Sequence, residues 1–132
     1  GNQNNPLNPN IPENAVKAWK IVKSSLIALQ TEDFNKHTEH FSDEFLTNYG
    51  DGGGKASYIQ FLGHSYRSGG SEGITINLEG IKTEINEEKI KFNDIMVYFQ
   101  RGAVNYSYEL IKNEDNWLVH KIRVPSVEGG EI

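Results

Sequence analysis

The chain has no cysteine, a single methionine and no long hydrophobic run. Without cysteine it can form no disulfide, no thiolate nucleophile and no cysteine-ligated zinc site. Its apolar runs are only a few residues long, whereas a membrane-spanning helix needs about 20. Its 13 lysines and arginines are spread along a chain of net charge −5, without the basic stripe typical of nucleic-acid binders. The sequence therefore predicts no nucleic-acid partner, no metal site and no cofactor.

The 132 residues, 36% of them hydrophobic, are enough for one domain with one core. We place this domain at residues 12–125, after a flexible tether rich in Asn and Pro at 1–11 and before a loose tail at 126–132. The tether resembles the stretch that follows the lipidated cysteine of bacterial lipoproteins. That resemblance implies an exported protein that meets a membrane only through an upstream lipid anchor. The alternative is the ragged N-terminus of a cytoplasmic protein.

The first half of the chain has helical periodicity. Apolar residues recur at three- and four-residue steps across 15–29, which predicts a helix with one face on the core. Thr31 is a favourable N-cap and predicts the start of a second helix. A third helix is predicted at about 55–66, after a glycine-rich loop that lacks the spacing of a phosphate-binding loop.

From residue 74 onward the apolar residues alternate with polar ones, which is the period of β-strands. Strands are predicted at 74–78, 81–85, 89–100, 104–110 and 117–124. The apolar phase shifts at Asn93 and Asp94, which predicts a bulge there. Helices followed by a meander of strands are typical of the α+β class. We therefore expect three N-terminal helices packed on a curved antiparallel sheet of four to six strands.

Four segments, in this order, resemble the nuclear-transport-factor-2-like superfamily, which includes ketosteroid isomerase, scytalone dehydratase and polyketide cyclases. They are the helix junction at 28–34, the segment His40-Phe41-Ser42-Asp43-Glu44-Phe45, the pair Gly54-Lys55 and the closing hairpin at 110–119. The match covers about residues 13–124 and implies a cone-shaped, cystatin-like fold. That superfamily contains enzymes, binding proteins and assembly domains, so the fold leaves the function open.

The resemblance implies one catalytic candidate after the second helix. The isomerases place an aspartate general base at the position of Asp43 or Glu44. They also use a tyrosine from the first helix, but no tyrosine precedes Tyr49 here, and Trp19 lies in the middle of that helix. His120, on the last strand in phase with Leu118 and Ile122, is either a second acid/base candidate or a core histidine.

Two histidines three residues apart, His37 and His40, raise the alternative of a metal site. Their spacing differs from that of the H-E-x-x-H motif. The ordinary interpretation is that both lie on the exposed face of the second helix.

Aromatic residues of the sheet, Tyr98, Tyr106, Tyr108 and Trp117, form either a packed group or the wall of a ligand pocket. The predicted pocket is lined by Trp19, Tyr58, Leu62, Tyr66, Tyr106, Tyr108 and His120. We expect a non-catalytic domain that binds a small apolar ligand or a protein partner. The alternative is a small proton-transfer enzyme that acts on a carbonyl compound, with Asp43 or His120 as base and Tyr106 or Tyr108 as electrophile.

Both faces of the predicted sheet are partly apolar, so we expect a homodimer through the face turned away from the helices. The outward residues of the central strand belong either to the phase of Ile95, Val97 and Phe99 or to that of Met96 and Tyr98.

Overall fold

A computed structural model describes residues 10–49, 54–69, 75–99 and 102–123. After a 3-10 turn at Glu13–Ala15, the helices are α1 (Val16–Gln30), α2 (Phe34–His37), α3 (Asp43–Tyr49) and α4 (Gly54–Gly69). The strands are β1 (Thr75–Asn77), β2 (Lys82–Asn86), β3 (Lys89–Phe99), β4 (Gly102–Asn113) and β5 (Asn116–Arg123). This order confirms the α+β class. No helix in the described ranges is long and apolar enough to cross a membrane. The predicted tail at 126–132 and most of the predicted tether lie outside those ranges.

The first predicted helix is confirmed, but its end differs from the prediction. Thr31 does not cap a second helix, because it is the C-cap residue of α1. Glu32 follows with a φ of 55°, in the left-handed region that commonly ends helices. Asp33 is the N-cap of α2 instead, and its Oδ1 accepts a hydrogen bond from the Lys36 backbone N–H at 3.2 Å.

The second predicted helix is interrupted, and forms the two short helices α2 and α3. Between them Phe41 makes a parallel bridge with Val119 of β5. The Ser42 N–H donates to the Val119 carbonyl at 2.9 Å, and the Val119 N–H donates to the His40 carbonyl at 2.8 Å. The backbone here hydrogen-bonds to the edge of the sheet, which satisfies it outside a helix.

The five strands form one antiparallel sheet in the order β1-β3-β4-β5, with β2 also paired to β3. The predicted bulge in β3 is confirmed by a register shift between Phe92 and Ile95, and Asp94 has a φ of 62°. A second shift lies between β4 and β5, where Glu109 pairs with Lys121 but Leu110 pairs with Val119. His120 is therefore an extra residue in β5, and the side-chain alternation changes phase there.

The two faces of the sheet differ in chemistry. The inner face packs under the helices and contributes Ile90, Phe92, Ile95, Val97, Tyr108, Leu110, Val119 and Ile122 to the core. Register places Met96 and Tyr98 on the outer face, which decides between the two phases left open by the sequence. The centre of the outer face is polar: Asn105 donates to Asp94 Oδ1 at 3.0 Å, and Ser107 donates to Asn93 Oδ1 at 2.5 Å.

Candidate functional site

A buried polar cluster joins α1, the end of α2 and β4 at the centre of the molecule. Ser25 lies on the core face of α1, three residues after Val22 and four before Leu29. Its Oγ lies 2.8 Å from His37 Nδ1 and 2.9 Å from the Tyr108 hydroxyl. Three polar side chains that are distant in sequence therefore meet inside an apolar core.

The hydrogen bonds of this cluster determine where its protons lie. His37 Nδ1 is 2.9 Å from the Ser25 carbonyl, which can only accept, so Nδ1 carries the proton. The Ser25 hydroxyl donates to the His37 carbonyl at 3.0 Å. The Tyr108 hydroxyl then donates to Ser25 Oγ, which leaves the serine hydroxyl with both a donor and an acceptor partner.

Burial keeps the titratable members of the cluster neutral. His37 is only 2% exposed, and this desolvation lowers its pKa from 6.5 to about 4, although the hydrogen bond to the Ser25 backbone acts in the opposite direction. Burial likewise raises the pKa of Tyr108 well above its usual value of 10, although the hydrogen bond with Ser25 acts in the opposite direction. At neutral pH an uncharged imidazole and an uncharged phenol both contact the Ser25 hydroxyl.

The Ser25–His37 pair does not have the arrangement of an activated nucleophile. An activating histidine must accept the serine proton, but His37 Nδ1 is itself a donor. The serine proton is directed at the His37 carbonyl instead. The cluster is therefore suited to holding α1, α2 and β4 together rather than to acyl transfer.

The expectation that His37 lies on the exposed face of its helix is wrong. Its ring is buried, with its centroid 5.0 Å from that of Phe41 in an edge-on contact. His40 is exposed, so the two histidines do not face a common point. A signal was present in the sequence, because His37 shares the three- and four-residue spacing of Phe34, Thr38 and Phe41. Among the residues that the structure describes, no group of three or more His, Asp or Glu could hold a metal ion.

The two catalytic candidates lie near the surface. Asp43 is exposed in the first turn of α3. The sequence predicted that His120 shares the phase of Ile122. This is wrong, because the bulge in β5 shifts His120 out of that phase. Its Nδ1 lies 3.3 Å from Ser42 Oγ, and its Nε2 lies 3.8 Å from Glu44 Oε1, on a side chain that is 70% exposed. His120 therefore faces Ser42 and Glu44, while Tyr108 is fully buried and bonded to Ser25.

The predicted pocket residues belong largely to the core. Trp19, Tyr58, Leu62 and Tyr108 are buried, and Tyr106 packs partly buried against them. Tyr58 stacks at a tilt with Phe41 and Phe45, at centroid distances of 5.8 and 5.9 Å. His120 lies at the edge of the sheet instead, and the Tyr66 side chain on α4 is outside the described part of the structure.

Trp19 carries the one buried side-chain polar atom without a partner among the described residues. The side chain is 5% exposed, and its ring lies 5.3 Å from that of Phe92 at a tilt of 58°. The indole N–H has no acceptor within the described ranges. A buried donor left unpaired costs about 1–3 kcal/mol, so this atom requires an explanation.

No protein-family model and no curated protein matches the sequence. Solved structures do match. A protein of unknown function with a cystatin-like fold from Nostoc punctiforme PCC 73102 superposes with a TM-score of 0.63 at 11% identity, over 83% of this chain and 87% of that one. An NTF-2-like protein of unknown function from Shewanella oneidensis MR-1 gives 0.60 at 10% identity, over 84% and 98%. A DUF4783 family protein from Bacteroides ovatus ATCC 8483 gives 0.54 at 14% identity, over 76% and 90%.

At these identities the likeness establishes the fold and nothing more specific. The chain has the nuclear-transport-factor-2-like, or cystatin-like, fold, as the four sequence segments predicted. Two of the similar proteins are themselves of unknown function, so the comparisons assign none to this chain.

Proposed function

We propose that this domain is a non-catalytic binding module that holds a small apolar ligand with one hydrogen-bond acceptor against the indole of Trp19. The unpaired indole N–H carries the proposal. An acceptor on the ligand satisfies this donor, while the surrounding aromatic and aliphatic side chains bury the rest of the ligand. A single polar contact in an apolar site gives orientation, and burial of apolar area gives most of the affinity.

A binding role is preferred over proton-transfer catalysis because the candidate groups are separated. Asp43 is exposed, His120 lies beside Ser42 and Glu44 at the edge of the sheet, and the Tyr108 hydroxyl is bonded to Ser25. In proton-transfer catalysis the general base and the electrophile must both lie within about 3 Å of the reacting atoms of one bound substrate. A base at the surface, Asp43 or His120, and the fully buried phenol of Tyr108 do not meet that requirement.

Heteronuclear NMR tests the proposal with two apolar probes that each carry one carbonyl acceptor, cyclohexanone and 2-octanone. The chain has two tryptophans, and Trp117 on β5 is partly exposed, so its indole N–H signal is an internal control. We expect at least one probe to shift the Trp19 indole signal and to leave that of Trp117 in place. Failure of both probes to move the Trp19 signal at millimolar concentration overturns the proposal.

A pair of matched variants separates the hydrogen bond from apolar contact. Trp19→Phe keeps an aromatic ring but removes the donor, so we expect about fivefold weaker binding, the equivalent of one neutral hydrogen bond. Trp117→Phe should bind like the parent chain. Equal affinities of the two variants would show that the indole N–H does not contact the probe.

We also propose that the domain is exported. The support is the composition of residues 2–10, in which Asn and Pro dominate, as in the tethers of bacterial lipoproteins. Fractionation of the native cells tests this with an antibody against the domain. Recovery in the cytosolic fraction alone would contradict export without affecting the binding proposal.

A further inference from the structure

A groove on the molecular surface lies between α1 and the start of α2, away from the buried cluster. It encloses about 420 Å³, which is within the range of small-ligand and peptide sites. One wall is a stripe of α1 residues at helical spacing, and the other begins at the N-cap of α2. The lining residues are Lys20, Lys23, Ser24, Ile27, Ala28, Thr31, Asp33 and Lys36.

The groove is basic although the protein is acidic overall. It has three ammonium groups, on Lys20, Lys23 and Lys36, and one carboxylate, on Asp33. Asp33 already accepts a hydrogen bond from the backbone of α2, and no carboxylate in the described ranges forms an ion pair with the three lysines. Three unpaired cations around one depression, on a chain of net charge −5, give this surface a sign opposite to that of the whole molecule.

The lining of the groove also includes apolar surface. Ile27 is 42% exposed and precedes the buried Ala28 in α1, and both line the groove together with the three lysines. An exposed apolar side chain among cations is complementary to an apolar side chain flanked by carboxylates. The groove lining contains no aromatic ring on which a nucleic-acid base could stack. A flat bilayer surface does not follow a concave groove, whereas a peptide side chain can enter it.

We propose that this groove docks an acidic peptide segment of a partner protein, with an apolar side chain on Ile27 and flanking carboxylates on Lys20 and Lys36. None of its lining residues belongs to the buried polar cluster, and Trp19 is not among them. Lys20 and Lys23 are three residues apart on α1, about 4.5 Å along the axis, so both can reach one run of acidic side chains. Lys36 contacts the peptide from the opposite wall.

An N-acetylated octapeptide of six glutamates and two leucines is the probe. Titration into the labelled protein at low salt should shift the backbone amide signals of Ser24, Ile27 and Ala28, and leave the Trp19 indole signal in place. Affinity should fall as salt is raised, because exposed charge pairs are screened. Shifts centred elsewhere on the protein, or no shifts at millimolar peptide, overturn the proposal.

Charge-reversal variants provide the matched comparison. The double variant Lys20→Glu, Lys36→Glu should bind the peptide about tenfold more weakly, since two ion pairs become repulsions. The control, Lys55→Glu with Lys112→Glu, changes net charge equally at exposed positions outside the groove, and should bind like the parent chain. Circular dichroism confirms that both variants fold. Equal weakening in both variants contradicts the proposal. Lysine-dependent binding to phosphatidylserine vesicles without peptide binding also contradicts it, and indicates a membrane instead.

Discussion

The hydroxyl of Tyr108 lies 2.9 Å from Ser25 Oγ, and this contact ties β4 to α1 across 83 residues of sequence. Both groups are buried, so neither can exchange its partner for water. The contact also continues to His37 through the serine, which makes the three side chains a single network. Such networks stabilise as units, because the loss of one member leaves the others unsatisfied.

A double-mutant cycle on this network should be non-additive. Tyr108→Phe removes one hydroxyl and should lower the free energy of unfolding by about 1 kcal/mol. Ser25→Ala leaves the Tyr108 hydroxyl and the His37 carbonyl unpaired, and should cost about 2 kcal/mol. The double variant should lose less than the sum, since the phenol is then absent. Urea denaturation measures all three, and strictly additive losses would contradict a shared network.

Stability should depend on the protonation of His37. Its pKa is lowered from 6.5 to about 4 in the folded chain, so the folded state favours the neutral ring. As the pH falls, His37 takes up a proton in the unfolded chain before it does so in the folded chain. The contribution of the neutral ring to the free energy of unfolding is therefore complete above pH 6.5 and is lost between about pH 6.5 and pH 4. The full loss is about 3 kcal/mol, from roughly 2.5 pH units at 1.36 kcal/mol each.

Two measurements separate the contribution of His37 from that of carboxylates, which titrate over a similar pH range. The free energy of unfolding of His37→Gln, followed between pH 7 and pH 4, should fall less steeply than that of the parent chain. Direct NMR titration of the His37 ring should give a midpoint near 4. A midpoint near 6.5 would show that the ring is accessible to water and would remove the basis of the prediction.

The bulge in β3 gives a backbone prediction. Asp94 has a φ of 62°, which a residue with a Cβ adopts at a cost of about 1 kcal/mol. Its Oδ1 accepts from Asn105 at 3.0 Å, and this hydrogen bond, followed by the charge of Lys82, lowers the pKa of Asp94. Asp94→Ala loses the side-chain contacts and keeps the strain, whereas Asp94→Gly loses the same contacts and relieves it.

The free energy of unfolding of Asp94→Gly, measured by thermal unfolding, should therefore exceed that of Asp94→Ala by about 1 kcal/mol. Asp94→Asn should stay close to the parent chain, because asparagine tolerates this conformation and its amide oxygen can accept from Asn105. If alanine and glycine prove equally stable, the backbone at this bulge is not strained.

The order of the elements was predictable because periodicity is local. The helical stripe of α1 and the alternation in β4 each depend on residues a few positions apart. The split of the second helix was not predictable, since it depends on hydrogen bonds from residues 40–42 to Val119. The same holds for the polar cluster: Ser25 is visible as a polar residue in an apolar stripe, but its partner Tyr108 is identified only by tertiary packing.

The prediction of the strand phase of His120 was wrong for a similar reason. Strict alternation places it with Leu118 and Ile122, but one extra residue in β5 shifts the register between Glu109 and Leu110. The bulge in β3 was predictable because its apolar residues change phase within one strand. In β5 the three residues before the bulge, 117–119, are apolar in both phases, so the sequence does not show where the phase changes.

The last prediction concerns a homodimer through the outer face of the sheet. That face is polar at its centre, where Asn105 and Asp94 bond to each other, while Tyr98 at one end is 41% exposed and lies beside Met96 in the same phase. We expect a modest dimer in which Tyr98 of each copy is covered, because burying an aromatic ring yields about 1.5–3 kcal/mol. Tyr98→Glu should then shift sedimentation equilibrium at micromolar concentration towards the monomer. Phe61→Glu, at an exposed aromatic residue of α4 on the other side of the molecule's core, is the matched control and should leave association unchanged. A parent chain that is strictly monomeric would contradict the prediction, and would show that the hydrogen-bonded polar row satisfies this face without a partner.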